Sequence, residues 1–293
     1  MYDGPNNGAR NPSPPIPIEE AACALCGSVE RTLAYSGFEP YAVVRCSTCG
    51  FYYLSPRPTP DALRQLYDDD RYFEGEGNGY ISYDEQETAL RATFSGLLRH
   101  MQTHGLTGGA LLDIGCGYGY LLEQAKGLYR IRIGTDFSSR AVKRAGAVAD
   151  RVYKGGLDRV PQEERFDCVV ALHVIEHLVD PSRFVAQAIR HLTPTGALVV
   201  ATPDMNSFWR RLMGRRWPSF KIPEHVQFFN RQTLTTLLKS AGLADVRPIP
   251  YPHAFPLSLV ASKLHWRVPP ALGQLTVWLP ATTVAVVGRI SRG

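Results

Sequence analysis

The sequence predicts an α/β fold: an open, parallel sheet covered by helices on both faces, with a small cysteine-rich unit ahead of it. Three observations predict it. An apolar run, Ala110–Ile114, ends in alternate glycines (Gly115, Gly117, Gly119) and passes at once into a helical pattern. Near-continuous apolar runs, ALLDI, IRIGTD, RVYKG, FDCVVAL and ALVVATP, alternate with amphipathic stretches, as strands buried on both faces by crossover helices require. The segments Cys23-Ala-Leu-Cys26-Gly and Cys46-Ser-Thr-Cys49-Gly place two cysteine pairs either side of residues 27–45.

At 293 residues the chain is long enough for one large domain and a small one. Its formal net charge of +5 is too small an excess to imply a nucleic-acid partner by itself. The opening stretch, MYDGPNNGARNPSPPIPIEE, is rich in Pro, Gly and Asn and has no apolar core. Residues 1–19 therefore read as a disordered tail and not a signal peptide, and a cytoplasmic address is expected.

Residues 20–55 read as a zinc ribbon. Each C-x₂-C pair sets two thiolates on one tight turn, and the glycine that follows, Gly27 or Gly50, accepts a left-handed backbone. Cys23, Cys26, Cys46 and Cys49 thus fit a tetrahedral Zn²⁺ site. With all four positions taken by protein the metal is structural, since no position stays open for a substrate. RTLAYS and YAVVR supply short strands between the pairs. Disulfides are the alternative, disfavoured in a reducing compartment. Cys116 and Cys168 read as packing residues.

Residues 56–107 form a helical lead-in. DALRQLY is a short helix with Leu63, Leu66 and Tyr67 on one face, EGEGNGYISY is glycine-broken, and a longer helix runs from about Glu85 to His104. The main domain occupies 108–293. Asp180 as N-cap and Pro181 at the first position start a helix that buries Phe184, Val185, Ala188, Ile189 and Leu192. Helix 231–241 buries Leu234, Leu237, Leu238 and Ala241 and stops at Gly242. DVRPIPY and TTVAVVGRI follow as strands. No charge occurs from Val268 to Gly288, but prolines interrupt any spanning helix. A buried last strand explains this apolar end most simply, and peripheral membrane contact through 254–280 stays open.

Ligands of open α/β sheets sit at the carboxyl ends of the strands. There the sequence assembles Asp113, Gly115, Gly117 and Gly119, then the free N–H groups of a helix start, then Asp136 at the end of the next strand, placed to meet ribose hydroxyls. This D-x-G-x-G-x-G spacing resembles class I S-adenosylmethionine-dependent methyltransferases more than nicotinamide enzymes. In the dinucleotide fingerprint G-x-G-x-x-G the third glycine would fall at Tyr120. A glycine-rich turn of another α/β protein is the alternative. The resemblance implies a Rossmann-like methyltransferase sheet, mostly parallel with its last strand inserted antiparallel, and S-adenosylmethionine as cofactor, its methionine and ribose held by the glycine loop.

Further roles follow from the resemblance. Leu157, in the turn after the third strand, is placed to cover the adenine. His173, in Leu172-His173-Val174-Ile175-Glu176-His177-Leu178, resembles the residue of "hViEHl" beside the reactive sulfonium, with Glu176 and His177 structural. The lead-in is expected to lid the cofactor, with Tyr72, Phe73 and Tyr80 as candidate contacts. An insertion at about 204–230 carries Arg210, Arg211, Arg215, Arg216 and Lys221 among Phe208, Trp209, Trp217 and Phe220. It is expected to form a basic wall towards the substrate, suited to a phosphate on the acceptor. Glu224-His225-Val226-Gln227-Phe228-Phe229 resembles "HvqfFs", which assigns His225 to the substrate cleft as catalytic base.

The expected activity is O-methylation of a small molecule or glycan precursor. C-methylation of a nucleotide-linked sugar is the near alternative. A nucleic-acid binding or modifying protein that reads through the ribbon is the alternative from another class. It is disfavoured because Arg31 and Arg45 are matched there by two glutamates. A non-catalytic scaffold is disfavoured by the intact cofactor motif.

Overall fold

The computed structural model describes residues 16–67, 84–263 and 268–290. Tyr72, Phe73 and Tyr80, and most of the expected disordered tail, lie outside them. The first part runs β1 (Ile18–Glu19), β2 (Arg31–Phe38), β3 (Tyr41–Cys46), β4 (Tyr52–Leu54), β5 (Arg57–Pro58), α1 (Pro60–Tyr67) and α2 (Glu87–Thr103). The main domain continues with β6 (Gly108–Ile114), α3 (Tyr120–Gln124), β7 (Tyr129–Asp136), α4 (Ser139–Ala145), β8 (Arg151–Lys154), β9 (Phe166–Leu172), α5 (Pro181–Arg190) and β10 (Leu192–Pro203). It ends with α6 (Phe208–Met213), β11 (Gln227–Phe228), α7 (Arg231–Ser240), β12 (Leu243–Pro248), β13 (Ala254–Pro256), α8 (Leu257–Lys263), α9 (Pro270–Gly273), β14 (Thr276–Trp278) and β15 (Thr283–Ile290).

The main sheet has seven strands in the order β12-β15-β10-β9-β6-β7-β8. β6 to β10 pair in parallel. β15 runs antiparallel between β10 and β12, the inserted last strand that the resemblance implied. The apolar residues Val284–Val287 of β15 are buried, so the last part of the uncharged C-terminal run is sheet interior. Helices start where their caps predicted: the Asp180 carboxylate accepts from Arg183 N at 2.9 Å, with Pro181 behind it. α7 closes on Gly242 at φ 91°.

Two apolar layers clothe the sheet. On one face α2, α3 and α4 bury Phe94, Leu97, Leu98, Met101, Leu121, Leu122 and Ala141. On the other, α5 and α7 pack with residues of the cysteine-rich unit: Ala21, Cys23, Val44, Cys46, Phe51 and Tyr53. The unit is therefore part of the main core. Phe51 and Phe229 have ring centroids 4.8 Å apart, and both are fully buried.

Two boundaries differ from expectation. Strand pairing begins at Ile18–Glu19, inside the expected tail, against Arg57–Pro58, and an Arg57–Glu19 ion pair of 2.9 Å fastens it. The ribbon is not closed within 20–55 either. Its sheet has the order β11-β4-β3-β2, so the last strand of the insertion completes it, with Gln227 opposite Tyr53 and Phe228 opposite Tyr52. A short sheet leaves one face and one edge bare. Here β11 covers the edge, while Met205, Trp217, Phe220, Val226 and Phe228 cover the face over Tyr41, Val43 and Leu54.

Phe229 joins the two units, so truncating it is expected to destabilise both at once. Phe229→Ala should cost about 3–5 kcal/mol in urea unfolding while leaving one transition. Two separated transitions would show that ribbon and main domain fold independently.

Candidate functional site

The cofactor end is built by β6, β7 and the loop between β6 and α3. Gly115, Gly117 and Gly119 all have positive φ (70°, 52° and 81°), which L side chains avoid. A Cβ on Gly115 would come within 2.7 Å of Val174 Cγ2, and one on Gly119 within 2.9 Å of the Ala145 backbone. The loop is thus pressed between the end of β9 and α4. Asp136 fixes it: its Oδ2 accepts from Gly117 N and its Oδ1 from Ser138 N, each at 2.9 Å. A carboxylate oxygen keeps a second lone pair, so the same side chain that shapes the loop retains acceptor capacity for a hydroxyl. This glycine cradle and its carboxylate fit S-adenosylmethionine.

Asp113 lies beneath the loop, buried at the end of β6. Burial, then the neighbouring Asp136 charge, pushes its carboxyl well above the usual range. Burial also raises Asp136, against the N–H groups of Ser138, Gly117 and Phe137 that favour its charged form. Leu157 is buried just beyond β8. Phe137, which the sequence reading passed over, is more than half exposed, and its ring lies next to the Gly156 backbone. An apolar ring directly after the carboxylate expected to meet the ribose was its signal.

A second polar cluster is built around His173, directly after β9. Its backbone is left-handed (φ 56°), an uncommon conformation for a non-glycine residue, and its N–H is fixed by Ala201 O at 2.8 Å. Nδ1 lies 3.3 Å from Glu176 Oε1. That is longer than the ~2.7–2.9 Å of a tight charge-assisted bond, and Oε1 has no hydrogen-bond partner among the described residues, so the pair is an ionic contact with Nε2 on the other side of the ring. Nε2 is buried without a hydrogen-bond partner among the described residues. Tyr251 and His253 flank the ring, at centroid distances of 5.7 Å and 5.5 Å. His253 Nδ1 is 2.9 Å from Thr283 Oγ1. Both residues went unremarked in the sequence, although YPHAF stands out as a polar pair inside an apolar tail.

Glu176 is 1% exposed. Burial alone would raise its pKa, but the contact with His173, then the His173, His177 and His225 rings, holds it at about 2. Thr202 Oγ1 donates to its other oxygen at 3.0 Å. His177 is pushed down to about 4 by burial, and His225 and His253 lie well below the usual imidazole range, first of all because of burial.

The structure seals His225 away from the expected cleft. The residue is 4% exposed, its Nδ1 is 2.9 Å from Ser219 O, and its ring stands edge-on to His177 at 4.5 Å. Glu176, His177 and His225 also offer ligand atoms within 4.8 Å of one another. Their carboxylate is already engaged by Thr202 and faces His173, and the Nδ1 atoms of both imidazoles face backbone carbonyls. They make a buried polar wall behind His173. The expected basic wall is corrected as well. Trp217 and Phe220 are buried in the ribbon's second core, and the Arg210 guanidinium donates to the Tyr35 hydroxyl of β2.

The four ribbon cysteines converge. Cys23 Sγ is 3.5 Å from Cys49 Sγ and Cys26 Sγ is 3.6 Å from Cys46 Sγ, far beyond the ~2.05 Å of a disulfide. These spacings are close to the roughly 3.8 Å edge of a tetrahedron with ~2.3 Å metal–thiolate bonds. The two knuckles share one geometry: Gly27 N bonds Cys23 O and Gly50 N bonds Cys46 O, with φ of 74° and 75° at the glycines. The set fits a tetrahedral ion.

A family described as a methyltransferase domain matches residues 83–247. The chain belongs to that family. The methyltransferase is 35% identical over 142 residues to a probable S-adenosylmethionine-dependent methyltransferase of Mycolicibacterium smegmatis, covering 47% of this chain and 53% of that one. It is 34% identical over 123 residues to a ubiquinone biosynthesis O-methyltransferase of Rhodopseudomonas palustris, covering 40% and 45%. The chain spans about half the length of the curated relatives it matches. A S-adenosylmethionine-dependent methyltransferase of Thermotoga maritima has the same fold, with TM-score 0.52 and 21% identity over 71% of this chain and 94% of that one. So does a magnesium protoporphyrin IX methyltransferase of Synechocystis with bound S-adenosylhomocysteine, with TM-score 0.50 and 14% identity over 76% and 94%.

A histidine held neutral by its surroundings ties stability to pH. In the unfolded chain an imidazole takes up its proton near 6.5, whereas His177 resists until about 4. Its contribution is complete above 6.5 and is lost as pH falls from there towards 4, by roughly 1.4 kcal/mol per unit. Urea unfolding at stepped pH should show this slope, and His177→Gln should flatten it. The difference between parent and variant separates it from proton-linked losses at the cysteines. Equal slopes in both proteins would place the histidine's proton uptake outside the folding equilibrium.

Proposed function

We propose that this methyltransferase moves the methyl group of S-adenosylmethionine to a hydroxyl of a small molecule or glycan precursor, with His173 as the base. The observation that carries the reading is the His173 ring itself: left-handed at a strand end, turned by Glu176, with Nε2 directed away from it. The relative named for O-methylation in ubiquinone biosynthesis supports oxygen as the accepting atom. When bound, S-adenosylmethionine supplies a methyl group on a positively charged sulfur, which needs alignment more than covalent help from the protein.

Each group in the chain then has a defined task. The glycine loop, Asp113 and Asp136 hold the cofactor's methionine and ribose, and Leu157 with Phe137 flanks its base. Glu176, kept ionised, favours the tautomer of His173 with its proton on Nδ1, so that Nε2 accepts the proton of the hydroxyl. Tyr251 and His253 exclude water around that nitrogen. Burial, then the charge of Glu176, keeps the Tyr251 phenol protonated, so it can donate a hydrogen bond to an acceptor but not take its proton. The ribbon holds a structural Zn²⁺ at Cys23, Cys26, Cys46 and Cys49. A nucleic-acid reading through the ribbon is less favoured, because Arg31 is paired with Glu20 at 2.5 Å and Arg45 lies over Tyr52.

Methyl-labelled S-adenosylmethionine should label the aqueous small-molecule or lipid fraction of a cell extract, and label in nucleic acid would sink the reading. With the acceptor in hand, His173→Gln should lower single-turnover rates by ~10²–10⁴ while calorimetry finds cofactor affinity nearly unchanged. His225→Gln should instead lower the melting temperature and leave the rate per folded molecule near that of the parent. A rate preserved in His173→Gln would remove it as the base.

Metal analysis should find one zinc per chain. Because β11 belongs to the ribbon sheet, Cys46→Ser or removal of the metal should lower the melting temperature of the whole protein, and not of a separate module. A metal-free preparation with an unchanged melting temperature would argue against the site.

A further inference from the structure

Exposed apolar side chains gather on two touching segments. Phe208 and Leu212 lie one turn apart on α6, and Leu272, Leu275 and Trp278 lie on α9, β14 and the turn between them. All five are between 46% and 67% exposed. The Trp209 indole N–H donates to Pro280 O at 2.8 Å and fastens α6 to the second segment. Phe208 also packs against Trp209, with centroids 5.8 Å apart. Clustered apolar exposure of this kind marks an interaction surface, whereas single exposed residues do not.

The charge on the first segment has one sign. Residues 205–223 contain Arg210, Arg211, Arg215, Arg216 and Lys221 and no Asp or Glu, and no charged residue falls between Val268 and Gly288. Arg211, Arg215 and Arg216 are exposed on and after α6. The carboxylates that bracket the first segment, Asp204 and Glu224, are only half-exposed. Aromatic and aliphatic side chains bordered by arginine are what the boundary between headgroups and acyl chains of an anionic bilayer accepts. A second copy of the chain suits the patch poorly, since a two-fold contact would bring α6 arginines against one another. No helix among the described residues is long and apolar enough to cross a membrane, so contact here is peripheral.

We propose that α6 and the 272–278 segment form a docking surface for an anionic lipid bilayer. The surface adjoins the acceptor end: Leu279 N bonds His253 O at 3.1 Å, and His253 packs on His173. An amphiphilic acceptor held in the membrane would then reach the base without crossing bulk water. That corollary rests on the methyl-transfer reading, whereas docking itself does not.

The test is flotation of the full chain with phosphatidylcholine vesicles, with and without phosphatidylglycerol, at physiological ionic strength. The parent should float with the anionic vesicles and much less with the neutral ones. Arg211→Gln/Arg215→Gln/Arg216→Gln should lower its partition coefficient on the order of a hundredfold, about fivefold per arginine. Phe208→Ser/Leu212→Ser should also weaken flotation, with an unchanged melting temperature. A parent that stays in solution, or either variant floating as the parent does, would overturn the proposal. So would a concentration-dependent dimer in gel filtration that Phe208→Ser/Leu212→Ser dissolves, which assigns the patch to a second copy. Because flotation needs no turnover, its failure leaves the methyl-transfer reading standing, and a failed transfer assay leaves docking standing.

Discussion

The proposed acceptor side of the molecule hangs on one buried charge, the carboxylate of Glu176. Removing a carboxylate from water is costly unless partners replace the solvent, and its partners come from separate parts of the chain. Thr202 of β10 binds one oxygen, the His173 ring faces the other, and the Glu176 backbone carbonyl takes the N–H of Val226. Val226 O in turn accepts from Leu54 N in the ribbon. A single residue after β9 therefore links the central sheet, the proposed base and the insertion that closes the ribbon. His177 and His225 pack around it as neutral rings and add no second buried charge.

This linkage explains how ribbon and insertion depend on each other. Neither the three ribbon strands nor the loop from 204 to 230 has enough apolar surface for a core of its own. Together they enclose Val43, Leu54, Trp217, Phe220 and Phe228. The proposed metal would hold the far end of the same sheet. Aromatic residues that resemble ligand-stacking groups in the sequence are consumed by this packing, and Arg210 follows them onto Tyr35. The exposed remainder of the insertion, on α6, keeps Phe208, Leu212 and the outward arginines.

The glycine loop and the His173 cluster use carboxylates differently. The backbone N–H groups of Gly117, Phe137 and Ser138 favour the charged form of Asp136, while burial and then the Asp136 charge favour a neutral Asp113. Glu176 is more deeply buried than Asp136, yet its carboxyl is held down, chiefly by its contact with His173. The difference follows from neighbours and not from depth.

Much of the fold was legible in the sequence. Parallel strands buried on both faces write themselves as apolar runs, and Asp180-Pro181 and Gly242 punctuate helices through local backbone chemistry. The glycine loop, Asp136 and the cysteine pairs were equally legible, since their geometry is set within a few residues. Contacts between distant segments were not. That β11 completes the ribbon, that Ile18–Glu19 pairs with β5, and that Trp217 is core were decided by which edges and faces stood uncovered once the sheets existed. The choice between His173 and His225 was of the same kind. Both lie in motifs of polar residues among apolar ones, and only packing buries one against His177 while turning the other, through Glu176, towards Tyr251 and His253. Period and spacing report the chain's local conformation, whereas burial of a titratable side chain is a property of everything folded around it.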